Sequence, residues 1–187
     1  MDDLQHAQTA VAALLADFAP MDWTRDTPCD KWDVAEVVRH LIVGERAFTT
    51  SLGGTPYDLP ALTAEVAKVP NTDLPAVYAE GAEQLRDALA AADPAGAYPT
   101  GLGPMPVPAV DQLRTIEALT HGWDAGRGVG RLLVVDDAVA ERAITHSLEL
   151  MERLPPDRTP FGPPRPVADD ARAIDRLAAL LGRDVNG

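Results

Sequence analysis

The sequence predicts an all-α protein built around a bundle of four long helices, and three observations predict it. Apolar residues recur at spacings of three and four through one long segment after another. Glycine and proline gather between those segments, where helices stop. No stretch shows a sustained strand-like alternation of apolar and polar residues.

The first segment, residues 3–19, places Leu4, Ala7, Val11, Leu14, Leu15 and Phe18 on one helical face, and Pro20 stops it. A polar loop from Thr24 to Lys31 follows. The second helix, over 33–52, opens at Asp33 with Glu36 three positions on, the capping-box arrangement. Its stripe is Val34, Val37, Val38, Leu41, Ile42 and Phe48, and Gly53-Gly54 ends it. His40 lies on the flank of that stripe.

Between Thr55 and Asn71, prolines at 56, 60 and 70 frame a short apolar piece read as a helical turn. Asp73 is expected to cap a third long helix, with Pro75 in its first turn, running through Val77, Tyr78, Leu85 and Leu89 to about Ala92. Residues 93–108 are rich in proline and glycine and read as a long irregular crossing, a kind of loop that tends to be functional or mobile. The fourth long helix runs from about Ala109 to Arg127, and Gly128 and Gly130 close it. A further helix over 136–154 presents Val139, Ala143, Ile144, Leu148 and Met151. A strap with six prolines among residues 155–166 leads to a last helix near 169–181, which carries Ile174, Leu177, Leu180 and Leu181 and docks on the body. The division expected is a bundle over 1–154 and a strap with docking helix over 155–187.

Composition excludes several functions. The 187 residues carry a formal charge of −13 with no basic cluster, which argues against nucleic-acid partners and anionic membranes. No apolar run is long enough to cross a bilayer, and no signal peptide is visible. The single cysteine, Cys29, rules out an internal disulfide, so a cytoplasmic protein is the expectation, as a monomer or homodimer.

The chemistry concentrates in the fourth helix. Glu117 and His121 are one turn apart, and four positions advance ~40° around the axis, so both side chains point the same way. They border a stripe of Leu113, Ile116, Leu119 and Trp123. An unpaired carboxylate or imidazole at a core edge is costly, so each needs a partner, either another side chain or a metal ion. If the second and fourth long helices are neighbours, His40 meets the pair across their interface. Two imidazoles and one carboxylate leave a fourth position for water or substrate, the pattern of a catalytic zinc, although nickel, iron(II) and manganese accept the same donors. A surface ion pair is the ordinary alternative for such spacing. Asp124, three residues past His121, is placed to orient a ligand ring, or else to pair with Arg127 or Arg114. Trp32 and Trp123 read as core or as the mouth of a pocket, and Cys29 as a small buried residue rather than a nucleophile. His6 and His146 read as solvent-facing or helix-packing.

Two stretches carry a resemblance. The run Thr27-Pro28-Cys29-Asp30-Lys31-Trp32-Asp33-Val34 with His40-Leu41, and the run Glu117-Ala118-Leu119-Thr120-His121-Gly122-Trp123-Asp124, resemble the actinobacterial metal-binding family related to mycothiol-dependent maleylpyruvate isomerase, in the DinB-like superfamily. The ending Asp175-Arg176-Leu177 to Leu181-Gly182-Arg183-Asp184 is similar to that family as well. The resemblance implies a DinB-like antiparallel four-helix bundle with a long connection and a short C-terminal helix. It implies a divalent metal, usually zinc, held by His40, Glu117 and His121, and mycothiol as a co-substrate. A thiol bound at such a cation loses its proton and becomes a nucleophile toward a small electrophile, for transfer or isomerisation. Hydrolysis by bound water, or a non-catalytic metal- or ligand-binding role, are the alternatives. The isomerase carries a further C-terminal domain where this sequence has only strap and helix, so the resemblance speaks for the metal site and not for maleylpyruvate as the substrate.

Overall fold

The computed structural model describes residues 3–30, 32–153 and 161–186. Four long helices form the centre: α1 (Asp3–Ala16), α2 (Val34–Leu52), α4 (Leu74–Ala91) and α5 (Val107–Gly128), with the short α3 (Leu59–Val66) between α2 and α4. α2 packs on α4 and α5, and α1 closes the ring by packing on the same two. Two further helices, α6 (Asp137–Arg153) and α7 (Ala173–Leu180), lie against each other and against α5. The all-α bundle expected from the periodicity is what forms.

Local chemistry sets the ends of the elements. Asp33 accepts the backbone N–H of Glu36 at 2.8 Å, and Glu36 accepts that of Asp33 at 2.9 Å, so the capping box exists as read. Asp73 departs from expectation. It sits at the start of α4, but its carboxylate accepts from the Thr72 hydroxyl and caps no helix N–H. Residues 93–106 are not wholly irregular, because Ala97–Tyr98 (β1) pairs antiparallel with Met105–Pro106 (β2). Two-residue strands are too short to leave a period in the sequence. The first and last helices are shorter than their apolar patterns, stopping at Ala16 and beginning at Ala173.

The stripes bury largely as read: Leu4, Ala7, Val11, Leu14 and Leu15 of α1, and Val34, Val37, Val38, Leu41 and Ile42 of α2. Phe18 and Phe48 are half-buried. On α6 the face is shifted. Leu148 is 46% exposed while Ser147 is fully buried, its hydroxyl bonded back to the Ala143 carbonyl at 2.7 Å. That local bond lets a small polar residue occupy the packed side. Ile174, Leu177 and Leu181 are buried where α7 docks. Lys31, Leu154 and the strap prolines at 155, 156 and 160 lie outside the described residues.

A buried polar crosslink ties the four central helices together. Glu45 of α2 is fully buried, accepts from Gln8 of α1 at 3.1 Å and faces the Arg114 guanidinium of α5 at 3.4 Å. Arg86 of α4 donates to the Gln8 amide oxygen at 2.6 Å. Breaking one partner of such a group leaves an uncompensated buried charge, so the crosslink disfavours other registers of the bundle.

α5 approaches α1 closely because residue 122 is glycine. A Cβ there would stand 2.5 Å from a methyl of Val11 and 3.2 Å from Leu133. Gly122→Ala is therefore expected to destabilise the fold by about 1–3 kcal/mol, the usual cost of overpacking, measured by urea denaturation. An unchanged midpoint would contradict this contact.

Candidate metal centre

His40 on α2 and the pair Glu117–His121 on α5 converge where those helices pack. The Glu117 carboxylate sits between the two rings. Its Oε2 is 3.0 Å from His40 Nε2 and 3.5 Å from His121 Nε2. The rings stand nearly perpendicular, with centroids 4.8 Å apart. One potential donor atom from each of the three residues lies within 4.8 Å of the other two. The side chain of His121 is 9% exposed, that of Glu117 15% and that of His40 36%, so the cluster opens to solvent on the His40 side.

The far nitrogen of His121 is also held. Its Nδ1 lies 3.0 Å from Asp124 Oδ2, so the N–H there donates to the carboxylate and Nε2 faces Glu117. Of the two roles open to Asp124 in the sequence, orientation of a ring is the one found. Neither Arg127 nor Arg114 pairs with it: Arg127 donates to the Val185 carbonyl, and Arg114 faces Glu45.

The cation beside Asp124 comes from Arg183, fifty-nine positions later and without a role in the sequence reading. Its Nη2 and Nε donate to the two carboxylate oxygens at 2.9 and 3.2 Å, a bidentate pair. The turn that brings it there ends α7. The Gly182 and Arg183 amides donate to the carbonyls of Ala179 and Ala178, and Gly182 has φ +95°, a conformation glycine adopts without strain. The only sequence signal was the Leu181-Gly182-Arg183-Asp184 ending itself.

The aromatic and sulfur residues divide. Trp32 is half-buried with its ring 4.6 Å from that of His40 and 5.8 Å from that of His121, forming a wall of the site. Trp123 is core, its indole N–H donating to Asp175 at 2.8 Å. Cys29 is half-buried, and its sulfur lies within 4.8 Å of donor atoms of His121 and Asp124, a second grouping behind the imidazole. His6 is exposed, and His146 lies 3.3 Å from the Gln112 amide, both away from the site.

Beside the cluster, a cavity of about 910 Å³ lies between α2, α3, α5 and residues 100–102, with His40 and Glu117 in its wall. The volume suits a small organic molecule.

Charge is balanced by mutual contact. Burial pushes the Glu117 carboxyl up, but hydrogen bonds from His121 and His40 outweigh it and hold the group well below the usual range. Burial alone would lower His121, yet Asp124 and Glu117 raise it to about 9. Burial dominates at His40 and lowers it, so that ring is neutral near pH 7. Asp124 stays ionised because His121 and Arg183 overcome its burial.

The pH dependence follows from these directions. In chelator-treated protein, the stability contributed by protonated His121 is complete below its ordinary value of 6.5 and is lost as pH rises through about 9. That of Glu117 is complete above its ordinary 4.5 and is lost as pH falls through its lowered value. NMR of the imidazole carbons should show His121 titrating near 9, and Asp124→Asn should move it sharply down. A His121 ring that titrates near 6.5 in the unaltered protein would contradict the assignment.

Comparison with known proteins places the chain among relatives. Over 185 residues the chain is 29% identical to the uncharacterized protein Rv0738 of Mycobacterium tuberculosis strain H37Rv, covering 97% of this chain and 96% of that one. The uncharacterized protein MT0763 of strain CDC 1551 matches to the same extent. No solved structure matches significantly. The family profile of the mycothiol maleylpyruvate isomerase N-terminal domain matches residues 4–126, a span that contains His40, Glu117, His121 and Asp124. The chain belongs to the mycothiol maleylpyruvate isomerase N-terminal domain family.

Proposed function

We propose that this protein is a metal-dependent enzyme, using zinc, that activates a low-molecular-weight thiol, mycothiol, for transfer to or isomerisation of a small electrophile. The observation that carries the proposal is the His40–Glu117–His121 cluster opening on a cavity. The donors suit zinc. Ligands ~2.0–2.1 Å from a tetrahedral ion are roughly 3.3 Å from one another, and here the carboxylate oxygen lies 3.0 and 3.5 Å from the two ring nitrogens. The Nδ1–H of His121 on a carboxylate is the outer contact that ligating histidines usually have.

His40, Glu117 and His121 would hold the ion, and a bound ion would lower the pKa of a thiol placed beside it. The chain's own residues do the rest. Asp124, clamped by Arg183, fixes the ring plane of His121 and stabilises its Nδ1 proton. Trp32 packs its ring against that of His40 and limits the orientations His40 can take. The apolar cavity wall lowers the local dielectric, which strengthens each charge interaction in the site. Membership in a family named for a mycothiol-dependent isomerase supports the choice of thiol. No described helix is long and apolar enough to cross a membrane, so the site is read as serving small dissolved molecules.

Protein purified without chelator should contain about one zinc per chain, and His121→Ala should contain almost none, by elemental analysis. With His121 protonated and His40 neutral beforehand, zinc uptake near pH 7 should release about one proton, seen as a buffer-dependent calorimetric enthalpy. Arg183→Gln is expected to weaken zinc binding about 10–100-fold. Mycothiol should bind the zinc-loaded protein and react with an electrophile panel. Zinc content without thiol binding or turnover would leave a non-catalytic metal-binding bundle instead.

A further inference from the structure

The cavity beside the cluster has a composition that selects a ligand. Its walls are mainly apolar, with Val43, Ala47 and Phe48 of α2 facing Leu102 and Leu113. Two arginines also border it, and they differ in charge balance. Arg114 is 2% exposed and its charge is offset by Glu45. Arg39 donates through Nη2 only to neutral oxygens, the Val69 carbonyl at 3.0 Å and the Asn71 amide at 2.7 Å. Among the described residues no carboxylate pairs with Arg39. The Nε–H groups of both arginines are shielded from solvent and have no acceptor.

The carboxylates in the same wall are already engaged. Glu117 is shared by the two histidines, and Glu36, at the exposed rim, is bonded to the Asp33 amide. With the ion's charge met by Glu117 and a bound thiolate, Arg39 is the one cation of this wall without a counter-charge, and it calls for one anion on an apolar body. A small polar diacid would then leave its second charge desolvated against carbon.

We propose that the cavity binds an amphipathic monocarboxylate, an aryl- or alkyl-carboxylate, with its carboxylate at Arg39, its apolar body along α2 and α5, and its far end toward His40 and Glu117. The electrophilic substrate is then a member of this class that carries an electrophilic carbon at its far end. This assignment rests on the preceding reading only for which end reacts, since binding itself is measured without turnover. The cavity of about 910 Å³ lies within the range of sites for drug-sized molecules and leaves space for the thiol as well.

The test is calorimetric titration of the purified, zinc-supplemented protein with three probes: phenylbutyrate, its primary amide and maleate. Phenylbutyrate should saturate, the amide should bind at least about tenfold more weakly, and maleate more weakly than phenylbutyrate. Arg39→Gln should remove the difference between acid and amide, and Arg39→Lys should keep part of it. Ala47→Phe should abolish binding of both while zinc content is unchanged. Circular dichroism checks that this variant folds, and Ala67→Trp at the exposed rim provides the same obstruction without altering the core. Equal affinity for acid and amide in the unaltered protein, tighter binding of maleate, or no saturation by phenylbutyrate would overturn the proposal. Zinc assayed on the same samples keeps the two readings apart. Protein that binds phenylbutyrate but no zinc would refute the metal centre and leave this assignment standing.

Discussion

One carboxylate shared by two imidazoles is the constraint around which this structure is arranged. Glu117 is largely buried, and an isolated ionised carboxylate at such a position would be expensive. It stays charged because His40 approaches from one helix and His121 from its own. The contact requires α2 and α5 to be neighbours in one register. A slide of one helix by a turn, about 5.4 Å, would strand the carboxylate.

The rest of the bundle holds that register. Glu45, Gln8, Arg86 and Arg114 link all four central helices through a second buried charge, placed away from the first. Such networks add little net stability but penalise alternative arrangements. From the other side, α7 delivers Arg183 to Asp124, and Asp124 in turn fixes His121. The C-terminal segment is thereby part of the site's support. The apolar cavity then lies beside the cluster, with His40 and Glu117 in its wall.

Much of this was legible in the sequence, for local reasons. Helical periodicity and the Asp33–Glu36 box are short-range, so α2 and its flanking His40 could be read directly. The Glu117–His121 pair followed from helix geometry alone. The meeting of His40 with that pair did not. It depends on which helices pack together, which the bundle reading could pose only as a condition and the resemblance implied. Arg183 and Glu45 escaped because their partners are remote in sequence and a lone charged residue normally signals solvent. Leu148 misled for a related reason: periodicity marks a face, but the local hydroxyl bond of Ser147 rotated the face that packs. The strands of residues 97–106 were too brief to detect.

The most direct measurement is the anomalous difference map of a crystal grown with zinc, recorded across the zinc absorption edge. The account predicts one peak, bonded to Nε2 of His40, Nε2 of His121 and a carboxylate oxygen of Glu117. A peak seated instead among Cys29, His121 and Asp124, or no peak with His40 still hydrogen-bonded to Glu117, would contradict it.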